Sequence, residues 1–279
     1  MMSIIVPILV LGLLGVAFAI FLSVSFKKLA VQVDPKVESI MAVLPMANCG
    51  ACGFAGCLGF AEAVAALKAD PAGCIAGGPS VAEKVGQVLG TEVEAKEEML
   101  AFVACQVGRR GAKTKYEYEG VANCQAAAIL FGGDRLCAWG CLGLDSCVTV
   151  CPFDAIHVNA EGLAVVDRQK CRACRKCVAA CPRHLIYMVP KLQQVLVACT
   201  NHERGKKAKE VCPLACTACR ICEKNCPESC IPVSDNLAVI DFKKCTQCGT
   251  CVEKCPQKSI VNLAKVQAVS EVAFSGPRR

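Results

Sequence analysis

Eight cysteines between residues 216 and 255 repeat one short spacing twice. They lie in the segments CTACRICEKNCP and CTQCGTCVEKCP, which both follow the pattern CxxCxxCxxxCP. In bacterial iron–sulfur proteins, the first three cysteines of such a run bind one [4Fe-4S] cluster, and the fourth binds the cluster of the partner run. Zinc is a poor alternative, because it takes two CxxC pairs per ion. Crossed ligation therefore predicts two neighbouring clusters, one on Cys216, Cys219, Cys222 and Cys255 and one on Cys245, Cys248, Cys251 and Cys226.

A second pair of cysteine runs lies between residues 137 and 181. The run CRACRKCVAACP is regular, whereas CAWGCLGLDSCVTVCP looks stretched, with three and five residues between its first three cysteines. The segments AIHVNAEGLAVVDRQKC and CIPVSDNLAVIDFKKC form an internal repeat, which predicts a strand, a turn and a strand between the two cluster loops of each module. Crossed ligation here predicts the sets Cys137, Cys141, Cys147, Cys181 and Cys171, Cys174, Cys177, Cys151.

A further cysteine group begins in the segment LPMANCGACGFAGC and ends at Cys74. Three glycines separate its cysteines and allow positive φ angles, so that the backbone can approach a cluster closely. The spacing alone also fits zinc, which remains the alternative for this group. We predict one more [4Fe-4S] cluster on Cys49, Cys52, Cys57 and Cys74.

Five of the 25 cysteines remain outside these sets. One of them, Cys230, occupies a position where a small buried residue is expected. The other four flank the stretched run on both sides, and they are either buried free thiols or the ligands of another cluster. The sequence thus predicts at least five [4Fe-4S] clusters, and a sixth if these residues bind one: Cys105, Cys124, Cys199 and Cys212.

The net charge of +7 has a simple explanation if these sites are filled. An oxidised [4Fe-4S] cluster with four thiolates carries about −2, so several clusters offset the excess of basic residues. The chain shows no RNA- or DNA-binding motif with interleaved aromatic residues and no nucleotide-binding fingerprint. We therefore expect that it binds neither nucleic acid nor a nucleotide directly.

The N-terminal segment predicts a membrane anchor. Residues Ile4 to Phe26 contain no charge, and Lys27 and Lys28 follow at once. This length is enough for one membrane-spanning helix, and a cleaved signal peptide would carry positive charge before the apolar stretch. Because the lysines flank only its C-terminal end, the positive-inside rule places the rest of the chain in the cytoplasm.

These features together predict an α+β protein in which short helices and strands hold the cysteine-containing loops in place. The predicted architecture is one N-terminal transmembrane helix, a small iron–sulfur domain and two tandem bacterial-type 2[4Fe-4S] ferredoxin modules. The expected boundaries are an anchor at residues 1–28, a four-cysteine domain at 29–90, a connector at 91–130, ferredoxin modules at 131–195 and 196–265, and a flexible tail at 266–279.

The order of anchor, LPMANCGACGFAGC segment and tandem ferredoxin runs resembles the B subunit of the Rnf complex. That complex is an ion-translocating ferredoxin:NAD oxidoreductase of bacterial membranes, and the resemblance covers nearly the whole chain. It implies a subunit in the inner membrane that accepts electrons from reduced ferredoxin and relays them through its clusters to membrane and flavin-bearing partner subunits. No residue of the chain is then expected to act on a substrate by itself. The alternative is a membrane-anchored polyferredoxin that serves another oxidoreductase or a redox sensor.

Two details depart from the patterns of related proteins. Met46 stands where the family segment LPGANCG has a small residue, and Arg172 and Arg175 occupy loop positions where ferredoxins often carry Thr and Gly. The basic residues near the third run and those around residues 204–209 could attract an acidic ferredoxin, with a merely solvated surface as the alternative.

Overall fold

The computed structural model describes residues 2–29, 34–94 and 97–264. The chain begins with helix α1 (Met2–Leu29), whose 28 residues make it about 42 Å long. Its segment Leu9–Phe26 is long and apolar enough to cross a membrane, and none of it is buried against the rest of the protein. The predicted anchor is thus one continuous helix. The flexible tail predicted at residues 266–279 lies outside the described residues.

Three helices form the four-cysteine domain. They are α2 (Pro35–Val43), α3 (Cys57–Ala65) and α4 (Gly78–Leu89). The Asp34 carboxylate accepts a hydrogen bond of 2.8 Å from the Lys36 amide and so caps α2, while Gly90 ends α4 with a φ of 70°. The apolar faces of the helices pack into one core around Ile40, Phe60 and Val85.

The first ferredoxin module alternates short helices with two antiparallel strand pairs. Its elements are β1 (Met99–Val103), α5 (Cys124–Ile129), α6 (Ser146–Thr149), β2 (Ile156–Val158), β3 (Ala164–Val166), α7 (Lys176–Ala180) and β4 (Ile186–Pro190). Strand β2 pairs with β3, as the repeat predicts. Strand β1 pairs with β4 in the register Met99 to Pro190. A strand of the predicted connector therefore belongs to the sheet of this module, which extends upstream of residue 131.

The second module repeats this order in a shorter form. Its elements are β5 (Val195–Val197), α8 (Gly205–Val211), α9 (Ile221–Lys224), β6 (Val233–Ser234), β7 (Leu237–Ala238), α10 (Thr250–Lys254) and β8 (Ile260–Asn262). Strand β6 pairs with β7 and β5 with β8, so that β5 corresponds to β1 and β8 to β4. The two modules pack against each other through the buried side chains of Leu100, Val189 and Leu196.

Candidate iron–sulfur sites

Three cavities are each lined by the four cysteines of one crossed set that the regular runs predict, and the second is also lined by Cys230. The cavities enclose about 330, 290 and 340 Å³, part of it open to solvent. In each set, three cysteines come from one run and the fourth comes from the partner run. The three sets are, in the same order, Cys216, Cys219, Cys222 and Cys255; Cys245, Cys248, Cys251 and Cys226; and Cys171, Cys174, Cys177 and Cys151.

The backbone of each regular loop turns so that its thiols face one point. The residues before and after the second cysteine have positive φ, for example Ala218 at 55° and Arg220 at 59° in the first run of the second module. Ala173 and Arg175 repeat this at 55° and 62°. After the second turn a short helix begins, and the third cysteine lies in its first turn. The left-handed pair therefore reverses the chain around each cavity.

Hydrogen bonds and burial prepare these thiols for metal binding. The amides of Ala101 and Ala155 donate to the sulfurs of Cys171 and Cys151, both at 3.4 Å, which favours the thiolate forms. Burial, together with the neighbouring cysteines, nevertheless raises the pKa of Cys222 to about 12. The metal-free thiol therefore holds its proton at neutral pH, and binding of a cluster must release it.

The four cysteines of the first domain also lie together. Burial raises the pKa of Cys74, and the nearby thiols of Cys52, Cys57 and Cys49 raise it further. The loop between them is held by Asn48, whose side-chain oxygen accepts a hydrogen bond of 2.9 Å from the Cys57 amide at the start of α3. The structure thus brings this predicted set to one place.

The stretched run has a close counterpart among the regular runs. Cys141, Cys147 and Cys151 have the same spacing as Cys216, Cys222 and Cys226, which places Leu144 where the regular run has Cys219. The backbone agrees, because Gly143 and Asp145 have φ values of 65° and 61° like their counterparts in the regular loops. The run is therefore regular, with leucine in place of its second ligand, and its loop supplies only two thiols to its own site.

Cys124 lies near the stretched run. It begins α5, where its amide donates a hydrogen bond of 2.7 Å to the hydroxyl of Ser146 in α6. Burial, together with the nearby thiols of Cys141, Cys124 and Cys181, raises the pKa of Cys147 to about 12. Cys124 thus lies near Cys147, with Cys141 and Cys181.

Cys137 lies instead with three cysteines that belong to none of the five predicted sets. A cavity of about 310 Å³, part of it open to solvent, is lined by Cys105, Cys137, Cys199 and Cys212. The predicted sixth set named Cys124 in place of Cys137, so the structure exchanges these two residues between the sets. Sequence spacing missed the exchange, although the match of Leu144 to Cys219 indicates it.

The spacing of the thiols suits a group larger than one ion. Within residues 2–29, 34–94 and 97–264, no three His, Cys, Asp or Glu side chains could together hold a single metal ion. Four sulfurs around one zinc would lie about 3.8 Å apart, given a Zn–S bond of about 2.3 Å in a tetrahedron. The four-cysteine sets are not among such single-ion groups, which fits polynuclear iron–sulfur clusters.

Comparisons with known proteins agree with these sites. Family models match an Fe-S cluster region at residues 44–76, a 4Fe-4S binding domain at 163–186 and a 4Fe-4S dicluster domain at 215–260. The chain is 42% identical over 242 residues to the B subunit of the Na(+)-translocating ferredoxin:NAD(+) oxidoreductase complex of Acetobacterium woodii, across 87% of this chain and 73% of the relative. The chain belongs to the family of Rnf complex B subunits.

Other B subunits support the same assignment. The chain is 41% identical over 253 residues to the B subunit of the ion-translocating oxidoreductase complex of Methanosarcina acetivorans, across 91% of this chain and 96% of the relative. It is 37% identical over 242 residues to the B subunit of the proton-translocating ferredoxin:NAD(+) oxidoreductase complex of Clostridium ljungdahlii, across 86% and 85%. The predictions of family and fold class are thereby confirmed. The chain is a subunit of an ion-translocating ferredoxin:NAD oxidoreductase complex, with 4Fe-4S binding domains for electron transport.

Proposed function

We propose that this B subunit accepts electrons from reduced ferredoxin and relays them through a row of [4Fe-4S] clusters to the partner subunits of its membrane complex. The named relatives belong to ferredoxin:NAD(+) oxidoreductases, which supports ferredoxin as the donor. The observation that carries the proposal is the contact between successive cysteine sets. A cluster, when bound, takes up one electron and releases it without a bond being made or broken.

The first domain and the first module are in contact at their cysteines. Cys49 lies near enough to Cys174 to contribute to the raised pKa of that thiol, whose main cause is burial. The crevice beside them is lined by Cys74, Cys171, Arg172 and Arg175. Two cluster sites from different domains thus face each other across one crevice, which supports electron transfer between them.

We propose five sites on twenty cysteines within this row. Four are the sets that the sequence predicts, and the fifth takes Cys124 in the place predicted for Cys137. The cysteines themselves fold around the clusters and keep water away, because the third cysteine of each run is buried. The fifth set is Cys124, Cys141, Cys147 and Cys181.

Stopped-flow mixing of the anaerobically purified full-length subunit with reduced ferredoxin tests this function. We expect rapid oxidation of ferredoxin and bleaching of the cluster absorbance of the subunit. A Cys174→Ser variant removes one ligand at the crevice and should slow this transfer. Cys230→Ala should not, because Cys230 is outside the five sets and the residue at its position in the first module, Ala155, is already alanine. Ferredoxin that stays reduced in the presence of the fully loaded parent protein would contradict the proposal.

The anchor and its orientation belong to the same proposal. We infer that α1 holds the subunit in the inner membrane with all cysteine domains on the cytoplasmic side, since Lys27 and Lys28 follow the apolar stretch. Protease added to inside-out vesicles should then digest the cysteine domains, and protease outside intact spheroplasts should not. Purification of the native complex would separate this role from a polyferredoxin that serves another oxidoreductase. For the role proposed here, we expect the purified complex to contain flavin-bearing subunits and subunits with several membrane spans.

A further inference from the structure

Two pairs of cysteines face each other between the ferredoxin modules. Cys105 follows β1 and Cys199 follows β5, each two residues after its strand and each in the sequence VAC. Cys137 stands four residues before Cys141, and Cys212 stands four residues before Cys216. The pairs therefore occupy equivalent positions in the two modules, and the internal repeat brings both to the lining of one cavity.

The lining of this cavity resembles that of the regular sites. Four thiols lie on its wall, as the four thiols of a predicted set lie on the wall of each regular cavity. Backbone amides point at sulfur here as well: those of Asn201 and Cys216 both donate to Cys199 at 3.4 Å. The indole of Trp139 closes part of the wall and packs on the His202 ring at 5.6 Å.

A buried cation lies beside the cavity without a counter-charge. The side chain of Arg135 is 1% exposed, and no carboxylate forms an ion pair with it in the described part of the chain. Its guanidinium donates only to carbonyl oxygens, those of Cys141, Val107 and Gly108, and its Nε has no partner.

A buried charge without a partner destabilises the folded protein, so an anion next to Arg135 would stabilise it. Asp134, the adjacent carboxylate, is already paired with Arg109 at 2.6 Å. The charge of Arg135 also reaches the cavity wall, where it lowers the pKa of Cys137 and Cys212 against the larger opposite effect of burial. A four-thiolate cluster with a charge of about −2 would supply the missing partner.

We propose that Cys105, Cys137, Cys199 and Cys212 bind a sixth [4Fe-4S] cluster, with Arg135 as its buried counter-cation, and that this cluster connects the two ferredoxin modules. The inference deepens the proposed function and rests on it. One electron enters from the site at Cys141, whose neighbour is Cys105, and the same electron leaves to the site at Cys216, whose amide bonds to Cys199. No proton or second reactant is needed.

Iron analysis of the anaerobically reconstituted full-length protein tests the site. Six filled sites correspond to about 24 iron atoms per chain and five to about 20. We expect about 24 in the parent and a loss of about four in the double variant Cys199→Ala/Cys212→Ala, with Cys230→Ala as the matched control without loss. A parent with about 20 iron atoms that the double variant also retains would overturn the sixth site alone. A parent far below 20 would instead contradict the five-site proposal.

Mössbauer and EPR spectra decide the ligand exchange even where a variant loses neighbouring clusters. Cys137→Ala should remove the same spectral component as the double variant, and Cys124→Ala should remove a different one. Loss of one shared component in both single variants would refute the assignment of Cys137. Arg135→Gln should lower the midpoint potential of the sixth component, because a positive charge near a cluster favours its reduced form. An unchanged potential would refute the role of Arg135.

Discussion

Charged substitutions in the middle of α1 give a quantitative test of the membrane anchor. Gly12 and Gly15 lie in the apolar stretch, and a side chain built at either position meets nothing within 4 Å. Substitution there changes the hydrophobicity of the helix without a clash against the protein. We therefore compare Gly15→Asp and the pair Gly12→Asp/Gly15→Asp with the apolar control Gly12→Leu/Gly15→Leu.

The insertion free energy sets the expected outcome. The apolar stretch from Ile4 to Phe26 contains 16 Leu, Ile, Val and Phe residues. At about −0.3 to −0.6 kcal/mol for each, they favour insertion by roughly 5 to 10 kcal/mol. One aspartate near the helix centre costs about 2.5 to 3.5 kcal/mol, so a single charge leaves insertion favourable. Two cost roughly 5 to 7 kcal/mol and cancel most of the gain.

Carbonate extraction of membranes that contain the full chain without its partner subunits measures the result. The parent, the leucine control and Gly15→Asp should remain in the pellet, whereas a large fraction of the double aspartate variant should be extracted. Iron content should stay the same in all four proteins, because the cluster sites lie outside α1. A double aspartate variant that is retained as fully as the parent would refute the anchoring role of this helix.

Three further predictions concern the part of the chain that follows α1. Substitution of Arg172, Arg175 and Lys176 by glutamate should slow electron transfer from reduced ferredoxin at low salt but leave the iron content unchanged. A transfer rate of the parent that does not depend on salt would place the docking site elsewhere. Met46→Gly should raise the free energy of unfolding by about 0.5 to 1 kcal/mol, because Met46 has a φ of 53° that glycine adopts more easily. The midpoint temperature at which the cluster absorbance bleaches should rise accordingly, and a lower midpoint temperature would contradict the prediction. Asp134→Asn should cost about 3 kcal/mol in denaturant unfolding, since it breaks the buried pair with Arg109. The exposed pair of Lys191 and Glu98 serves as the control and should cost less than about 1 kcal/mol when Lys191 becomes Met.

The regular cysteine runs could be interpreted from sequence because their ligands are local. Three thiols of each set lie within seven residues, and the left-handed turns between them are part of the same segment. The crossed fourth ligand follows from the repeat of the whole module. Helix α1 could also be predicted from the sequence, because the length and composition of an apolar stretch are enough to indicate a membrane-spanning helix.

The exchange of Cys124 and Cys137 could not be derived from spacing, because their positions depend on tertiary structure. Cys124 comes from α5, in the segment predicted to be a connector, and the hydrogen bond from its amide to Ser146 holds that helix against the first module. Arg135 was equally hidden, since an arginine in a polar segment is usually solvated. A comparison of the two halves provides the available signals: Leu144 opposite Cys219, and the shared VAC sequence at Cys105 and Cys199.

The placement of the sixth site explains why both modules carry the extra cysteine pair. Within each module, crossed ligation already keeps the two clusters close, so no additional thiols are needed there. Between the modules, the packing of Leu100, Val189 and Leu196 is apolar, and the cysteine beside it, Cys171, already belongs to a set of the first module. A cluster on Cys105, Cys137, Cys199 and Cys212 would add a redox group between the modules, because Cys105 lies near Cys141 and the Cys216 amide donates to Cys199. With this site filled, neighbouring cysteine sets follow one another without a break from the first domain to the end of the second module.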